Sequence, residues 1–184
     1  SKRDFSIIAD KVKILYSGRI GRGISSSLLE IAAVIDKLSS ESQTIKLHIQ
    51  SPTAKPEIIQ RLLAYECTVI NQFVEYSKLP EIYSSADILI IANDFDEKAI
   101  SFLKYSMPTK ASEYMISGTP VLVYSSKETA VSKFFSQFKC GCCVTEPDAN
   151  QLIKALNLLI NDNEYRAKLG RNAVRVASEL FDGE

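Results

Sequence analysis

The sequence predicts a Rossmann-like α/β domain of three layers, with a mostly parallel six-stranded sheet between two layers of helices. Three observations carry that expectation. The apolar period switches repeatedly between two and 3.6 residues along the 184-residue chain, as strands alternating with helices require. Residues 87–93, DILIIAN, form a nearly continuous apolar run, the pattern of a central strand covered on both faces. No linker, low-complexity tract or internal repeat interrupts the alternation, so the length suits one domain with a sizeable core.

Each element has its own signal. Residues 12–17, VKILYS, read as the first strand, followed by a glycine-rich turn and a helix over about 28–38. Ser27 and Glu30 have the S-x-x-E spacing of a capping box at that helix start. Residues 45–50, IKLHIQ, are the second strand, and a helix enters after Pro56 with Ile58, Ile59, Leu62 and Leu63 on its face. Residues 67–73 predict a third strand, 79–86 a short helix, and 87–93 the fourth strand. A loop over 94–107, with a helical turn near 99–103, leads to a helix opened by Pro108, Thr109 and Lys110. Gly118 stops that helix, with Pro120 behind it. Residues 121–124 are the fifth strand, 129–138 a helix, and 140–144 the sixth strand. Asp148 is placed to cap the next helix, which carries Leu152, Ile153, Leu156, Leu159 and Ile160. The last helix keeps Leu169, Ala173, Val176, Ala177 and Leu180 on one stripe, with Arg166, Lys168, Arg171 and Arg175 elsewhere.

Composition removes several function classes. Lys plus Arg and Asp plus Glu both number 22, so net charge gives no argument for a nucleic-acid partner. No apolar run reaches the length of a bilayer span, and no signal-peptide pattern opens the chain. The chain begins at Ser1 rather than Met, and reads as a piece of a longer protein. Three of the four cysteines crowd into KCGCCV. Strand alternation there puts Cys140 and Cys142 on one face and Cys143 on the other. With Cys67 they read as buried, reduced thiols of a cytosolic protein, and no metal site is expected. The single histidine, His48, falls inside a strand, which leaves no Ser/His/Asp or Cys/His set.

The residues that stand out fall where strands end. Ser17-Gly18-Arg19-Ile20-Gly21-Arg22-Gly23 follows the first strand. Glycines admit a ligand close to the backbone, and arginine forks match phosphate oxygens. The glycine spacing is not G-x-G-x-x-G and no acidic residue ends the second strand, which argues against a nicotinamide cofactor. Asp94, Asp96 and Glu97 follow the fourth strand and read as a solvated acidic loop. Lys110 sits in a first helical turn, where the dipole disfavours a cation, and Glu113 lies on the same side three residues on. An anion at that helix end would resolve the conflict. Arg19 and Arg22 on one strand end and Lys110 on another suit a diphosphate, with Glu113 a candidate acceptor for ribose hydroxyls.

The succession YSGRI-GRG, LPEIYSSADILI, MPTKASEYMISGTPVLVYSS and LGRNAVRVASELF resembles the C-terminal half of GT-B glycosyltransferases. More narrowly, it is similar to the retaining, sugar-nucleotide-dependent family, group 1 glycosyl transferases, that builds bacterial capsule, lipopolysaccharide and exopolysaccharide. That resemblance implies one half of a GT-B fold that binds a nucleoside-diphosphate sugar as substrate, with no metal and no cofactor. It implies that Gly18 and Arg19 contact the diphosphate, with Arg22 where the family usually has lysine. Lys110 and the N–H groups at Thr109 and Lys110 complete that site, and Glu113 holds the ribose. The base would lie against the segment from Phe73 to Leu79. Arg19, Lys110 and Glu113 would then carry the catalytic roles.

The chain departs from the pattern in three ways. Its arginine turn is shorter than usual. Tyr105 stands where the family often has a second, sugar-contacting glutamate, for which Asp96 or Glu97 is a substitute. The N-terminal acceptor domain is missing, so the isolated piece would bind donor and transfer nothing. The resemblance further implies a cytoplasmic protein, peripheral to the inner membrane face only through the absent half. Two alternatives stay open: a non-catalytic nucleotide-binding or interaction module of the same fold, and a sugar-nucleotide epimerase.

Overall fold

The computed structural model describes residues 10–181 apart from residue 73. Six strands, β1 (Lys11–Ser17), β2 (Thr44–Gln50), β3 (Thr68–Ile70), β4 (Ile88–Ala92), β5 (Val121–Tyr124) and β6 (Cys142–Val144), form one sheet in the order β3-β2-β1-β4-β5-β6. Every pairing is parallel. The helices are α1 (Ser25–Leu38), α2 (Pro56–Leu63), α3 (Leu79–Ser85), α4 (Glu97–Leu103), α5 (Lys110–Ser117), α6 (Ala130–Gln137), α7 (Ala149–Asn161) and α8 (Asn163–Phe181). The expected Rossmann-like, three-layer α/β architecture is therefore present.

Strand alternation sorts the core into two halves. Ile14, Tyr16, Leu47, Ile88, Ile90 and Tyr124 pack with residues of α1, α2 and α7 on one face. Leu15, Leu89, Ile91, Val121 and Val123 pack with α3, α5, α6 and α8 on the other. All five residues of β4 are buried, as its unbroken apolar run implies for a strand covered on both sides. The chain order reverses between β1 and β4, and their carboxyl ends open the crevice where such sheets bind ligands.

Several local expectations change. The Ser27–Glu30 capping box does not form: α1 begins at Ser25, and no side chain of its own caps it. The Ser27 N–H donates instead to Asp94 Oδ1 at 2.8 Å, its hydroxyl donates to the Asn93 carbonyl, and Glu30 accepts from the Tyr124 hydroxyl. Partners from a distant loop satisfy this helix end, so a local motif never arises. β3 is three residues long rather than seven. Cys140 and Cys143 line the α5/α6/α8 side and Cys142 the other. Cys140 precedes β6 and is turned by Lys139, whose φ is +51°, so alternation begins only at Cys142. The thiols are unpaired, and burial raises Cys67 and Cys143 to about 11 and Cys140 to about 12. Arg166 is buried, not solvated; its guanidinium donates to the carbonyls of Leu159 and Ile160 at the end of α7. Leu180 is half-exposed.

Candidate functional site

The last residue of β1, Ser17, is the hub of the crevice. Its N–H donates to the Tyr114 hydroxyl at 3.0 Å, and its own hydroxyl shares a hydrogen bond with the Tyr83 hydroxyl at 3.2 Å. Its carbonyl accepts from Lys110 Nζ at 2.9 Å. Three elements far apart in sequence, β1, α3 and α5, therefore meet at one strand end.

Gly18 explains the close approach. Its φ is +132°, a conformation that side-chain-bearing residues rarely adopt. A Cβ there would stand 3.1 Å from Lys110 Nζ. The absence of a side chain thus leaves the ammonium flush against the turn backbone, which is tied down by the Gly18 N–H donating to the Gln50 carbonyl at 2.9 Å. Lys110 opens α5, and its Nζ also lies 4.1 Å from the centroid of the Tyr16 ring. The ammonium end of this partly exposed residue is the sequestered part, and burial lowers its pKa to about 7. Carbonyl and aromatic face compensate only in part for lost water.

Glu113 is tied to the same hub. Its carboxylate accepts from the Tyr76 hydroxyl and, at 3.4 Å, from the Tyr83 hydroxyl. Tyr83 packs edge-on against Tyr114 with centroids 5.0 Å apart, and burial raises its pKa to about 12. Gly18, Lys110 and Glu113, picked from the sequence, are therefore brought together around Ser17.

The remaining candidates stand further out. Arg19 is exposed, and its carbonyl accepts from the Tyr16 hydroxyl at 2.7 Å. A cavity of about 380 Å³ opens beside it, lined by Arg19, Ile20, Gly21, Thr53, Ala54 and Lys55. Arg22 is exposed, and no contact joins it to Gly18, Lys110 or Glu113 among the described residues. Thr109 is exposed and immediately precedes α5, offering no side-chain cap. Tyr105 is 87% exposed and brings no carboxylate to the crevice. Asp96 is committed to capping α4, where it accepts from the Ala99 N–H, whereas Glu97 is exposed in the first turn of that helix. Phe73, expected against the base, lies outside the described residues; Tyr76–Lys78 of the same segment form one 3₁₀ turn.

Asp94 overturns the expectation of a solvated acidic loop. It is buried, its N–H donates to the Gly23 carbonyl at 2.7 Å, and its carboxylate caps α1 through Ser27. Burial raises its pKa although those hydrogen bonds oppose the shift. It fixes the far end of the glycine turn against β4. The other role missed in the sequence is that of the Tyr76/Tyr83/Tyr114 set, which carries no spacing signal. His48, on β2, shares a hydrogen bond through Nδ1 with Asn71 Oδ1 at 3.1 Å, and burial lowers its pKa. No cluster of three or more metal-ligating side chains occurs among the described residues.

Comparison with known proteins bears on the fold and the family. The C-terminal domain of a glycosyl transferase group 1 family protein, LpcC, from Francisella tularensis superposes with a TM-score of 0.71. It is 19% identical over 96% of this chain and 89% of that one. WaaG, a glycosyltransferase involved in lipopolysaccharide biosynthesis, gives 0.65 at 19% identity over 97% of this chain and 44% of its own. Anabaena HepE, solved with UDP-glucose, gives 0.69 at 16% identity over 94% and 45%. The chain thus spans under half the length of the latter two. No protein of curated function matches it by sequence. The model of the family described as glycosyl transferases group 1 matches residues 2–176, and the chain belongs to that family, with the fold of a GT-B C-terminal domain.

Proposed function

We propose that this chain is the donor-binding half of a hexosyltransferase working on bacterial surface polysaccharide. It would pass a sugar from a nucleoside-diphosphate sugar to a glycan or lipid-linked acceptor. The observation that carries this reading is the meeting of Gly18, Lys110 and Glu113 at the carboxyl end of β1. A diphosphate against the Gly18 backbone would meet the Lys110 ammonium directly, with the N–H groups at the start of α5 beside it, and the exposed Arg19 and Arg22 would have to swing in from the turn to reach it. Glu113 would accept the ribose hydroxyls. As the glycosidic bond breaks, negative charge grows on the departing diphosphate, and Lys110 and Arg19 would offset it. The nucleotide sugar is itself the substrate, and the reading calls for no resident cofactor.

The relatives support the donor and acceptor classes: one was solved with UDP-glucose and another takes part in lipopolysaccharide biosynthesis. On this reading the acceptor domain lies outside the sequence, and the isolated domain binds donor without turnover. Family membership favours glycosyl transfer over the epimerase alternative. Tyr105 in place of a carboxylate favours one second reading, a nucleotide-binding module without transfer activity. Calorimetric titration with UDP, GDP and ADP tests the main proposal. One of them binds at 1:1, and Lys110→Ala weakens it at least roughly tenfold, as loss of a charge-assisted contact implies. A folded domain that binds none of the three contradicts it.

A further inference from the structure

We propose that Tyr76 holds the Glu113 carboxylate in the free protein and yields it to the ribose diol when a nucleotide binds, so that its hydroxyl competes with the nucleoside for that carboxylate. The inference rests on the nucleotide-binding role proposed above and adds the step by which the ribose contact forms.

Two phenols converge on Glu113 from different elements, and their surroundings differ. Tyr83 comes from α3, is 2% exposed, and its hydroxyl also engages Ser17 while its ring packs against Tyr114. Those contacts fix it as part of the scaffold. Tyr76 comes from the 3₁₀ turn after β3, is 71% exposed, and its hydroxyl has no other hydrogen-bond partner among the described residues. It can rotate away without opening the core. The two phenols take different oxygens of the carboxylate, Oε1 for Tyr76 and Oε2 for Tyr83. A vicinal diol donates two hydrogen bonds, and Tyr76 occupies one of the two carboxylate oxygens that would take them.

The exchange is chemically matched. A phenol O–H on a carboxylate is a charge-assisted hydrogen bond, and so are the two that replace it. The free protein therefore keeps Glu113 partnered and oriented, and the nucleotide gains the carboxylate only in the fraction of molecules where Tyr76 has swung out. Apparent affinity falls by that fraction. The hydrogen bond to Glu113, and then its negative charge, raise the pKa of the Tyr76 phenol, which keeps its proton as the donor.

Tyr76→Phe removes the competing hydroxyl and keeps the ring, and its exposed position leaves the fold intact, which far-UV circular dichroism checks. Calorimetry then compares wild type and variant with whichever of UDP, GDP and ADP the wild type binds, and with the 2′,3′-dideoxy form of the same nucleotide. The ribonucleotide binds the variant roughly three- to tenfold more tightly, and the dideoxy form binds both proteins equally. A variant that binds the ribonucleotide no more tightly, or that tightens on both nucleotides alike, overturns the role of Tyr76 while leaving the nucleotide site standing. A wild-type domain that binds none of the three overturns both.

Discussion

Lys110 has two environments in one side chain: a stem opening a helix, and an ammonium turned against a carbonyl, a glycine and a tyrosine ring. With its pKa near 7, the free protein holds it partly neutral at physiological pH. A bound diphosphate favours the ammonium and raises that pKa. Below pH 7 the charge is already present and costs the ligand nothing. Above it, binding must take up a proton, so affinity falls as pH rises, by up to about tenfold per unit until the pKa of the complex is passed. Calorimetry at pH 8 in buffers of different ionisation enthalpy registers that uptake, and Lys110→Arg, charged throughout, abolishes it. Binding without proton uptake at pH 8 would contradict the sequestered lysine. For folding the sign is opposite to that of a stabilised lysine. The fold disfavours the charged form, so this group's penalty is full below pH 7 and fades as pH rises toward 10.5.

At the level of elements, helix ends set by nearby residues were legible, and the one set by a distant partner was not. The α5 stop was legible because Gly118, with φ +71°, and Pro120 act locally. Thr129 and Asp148 cap α6 and α7 within three residues, and Asp148 was legible for the same reason. The start of α1 was not, because Asp94 caps it from 67 residues away. Nor was the facing of the cysteines, which depends on the turn at Lys139 rather than on alternation. Gly141 next to that turn gives a test. A Cβ there would lie 2.6 Å from Phe135 Cδ1 and 3.2 Å from the Val121 carbonyl oxygen, and Phe135 is fully buried. Gly141→Ala should destabilise the domain by about 1–3 kcal/mol through overpacking. Gly21→Ala, whose Cβ meets nothing within 4 Å, should stay within about 0.5 kcal/mol. Urea unfolding midpoints compare the two, and equal midpoints would contradict the close packing of β6 on α6.

For the whole molecule, the strand order turns separate sequence features into one site. β1 and β4 are neighbours at the switch point, so the glycine turn, the loop after β4 and the start of α5 face one another. The sequence supplied Gly18 from a glycine-rich turn at a strand end, Lys110 from a cation where the helix dipole disfavours one, and Glu113 from its place three residues on. It could not supply the tyrosines that hold them, since Tyr76, Tyr83 and Tyr114 read as ordinary amphipathic residues until the fold brings them to Ser17 and Glu113. A second cavity, of about 300 Å³, lies beside the start of β6 and is lined in part by Lys139, Lys168 and Tyr165. Its presence makes the location of binding as informative as binding itself. Titration of the domain with UDP, GDP and ADP, followed by amide chemical shifts, maps the site residue by residue. A nucleoside diphosphate at the β1 hub should move resonances concentrated in 18–23, 74–79 and 109–113. Shifts centred on Lys139 and Lys168, or none in a folded domain, would contradict it.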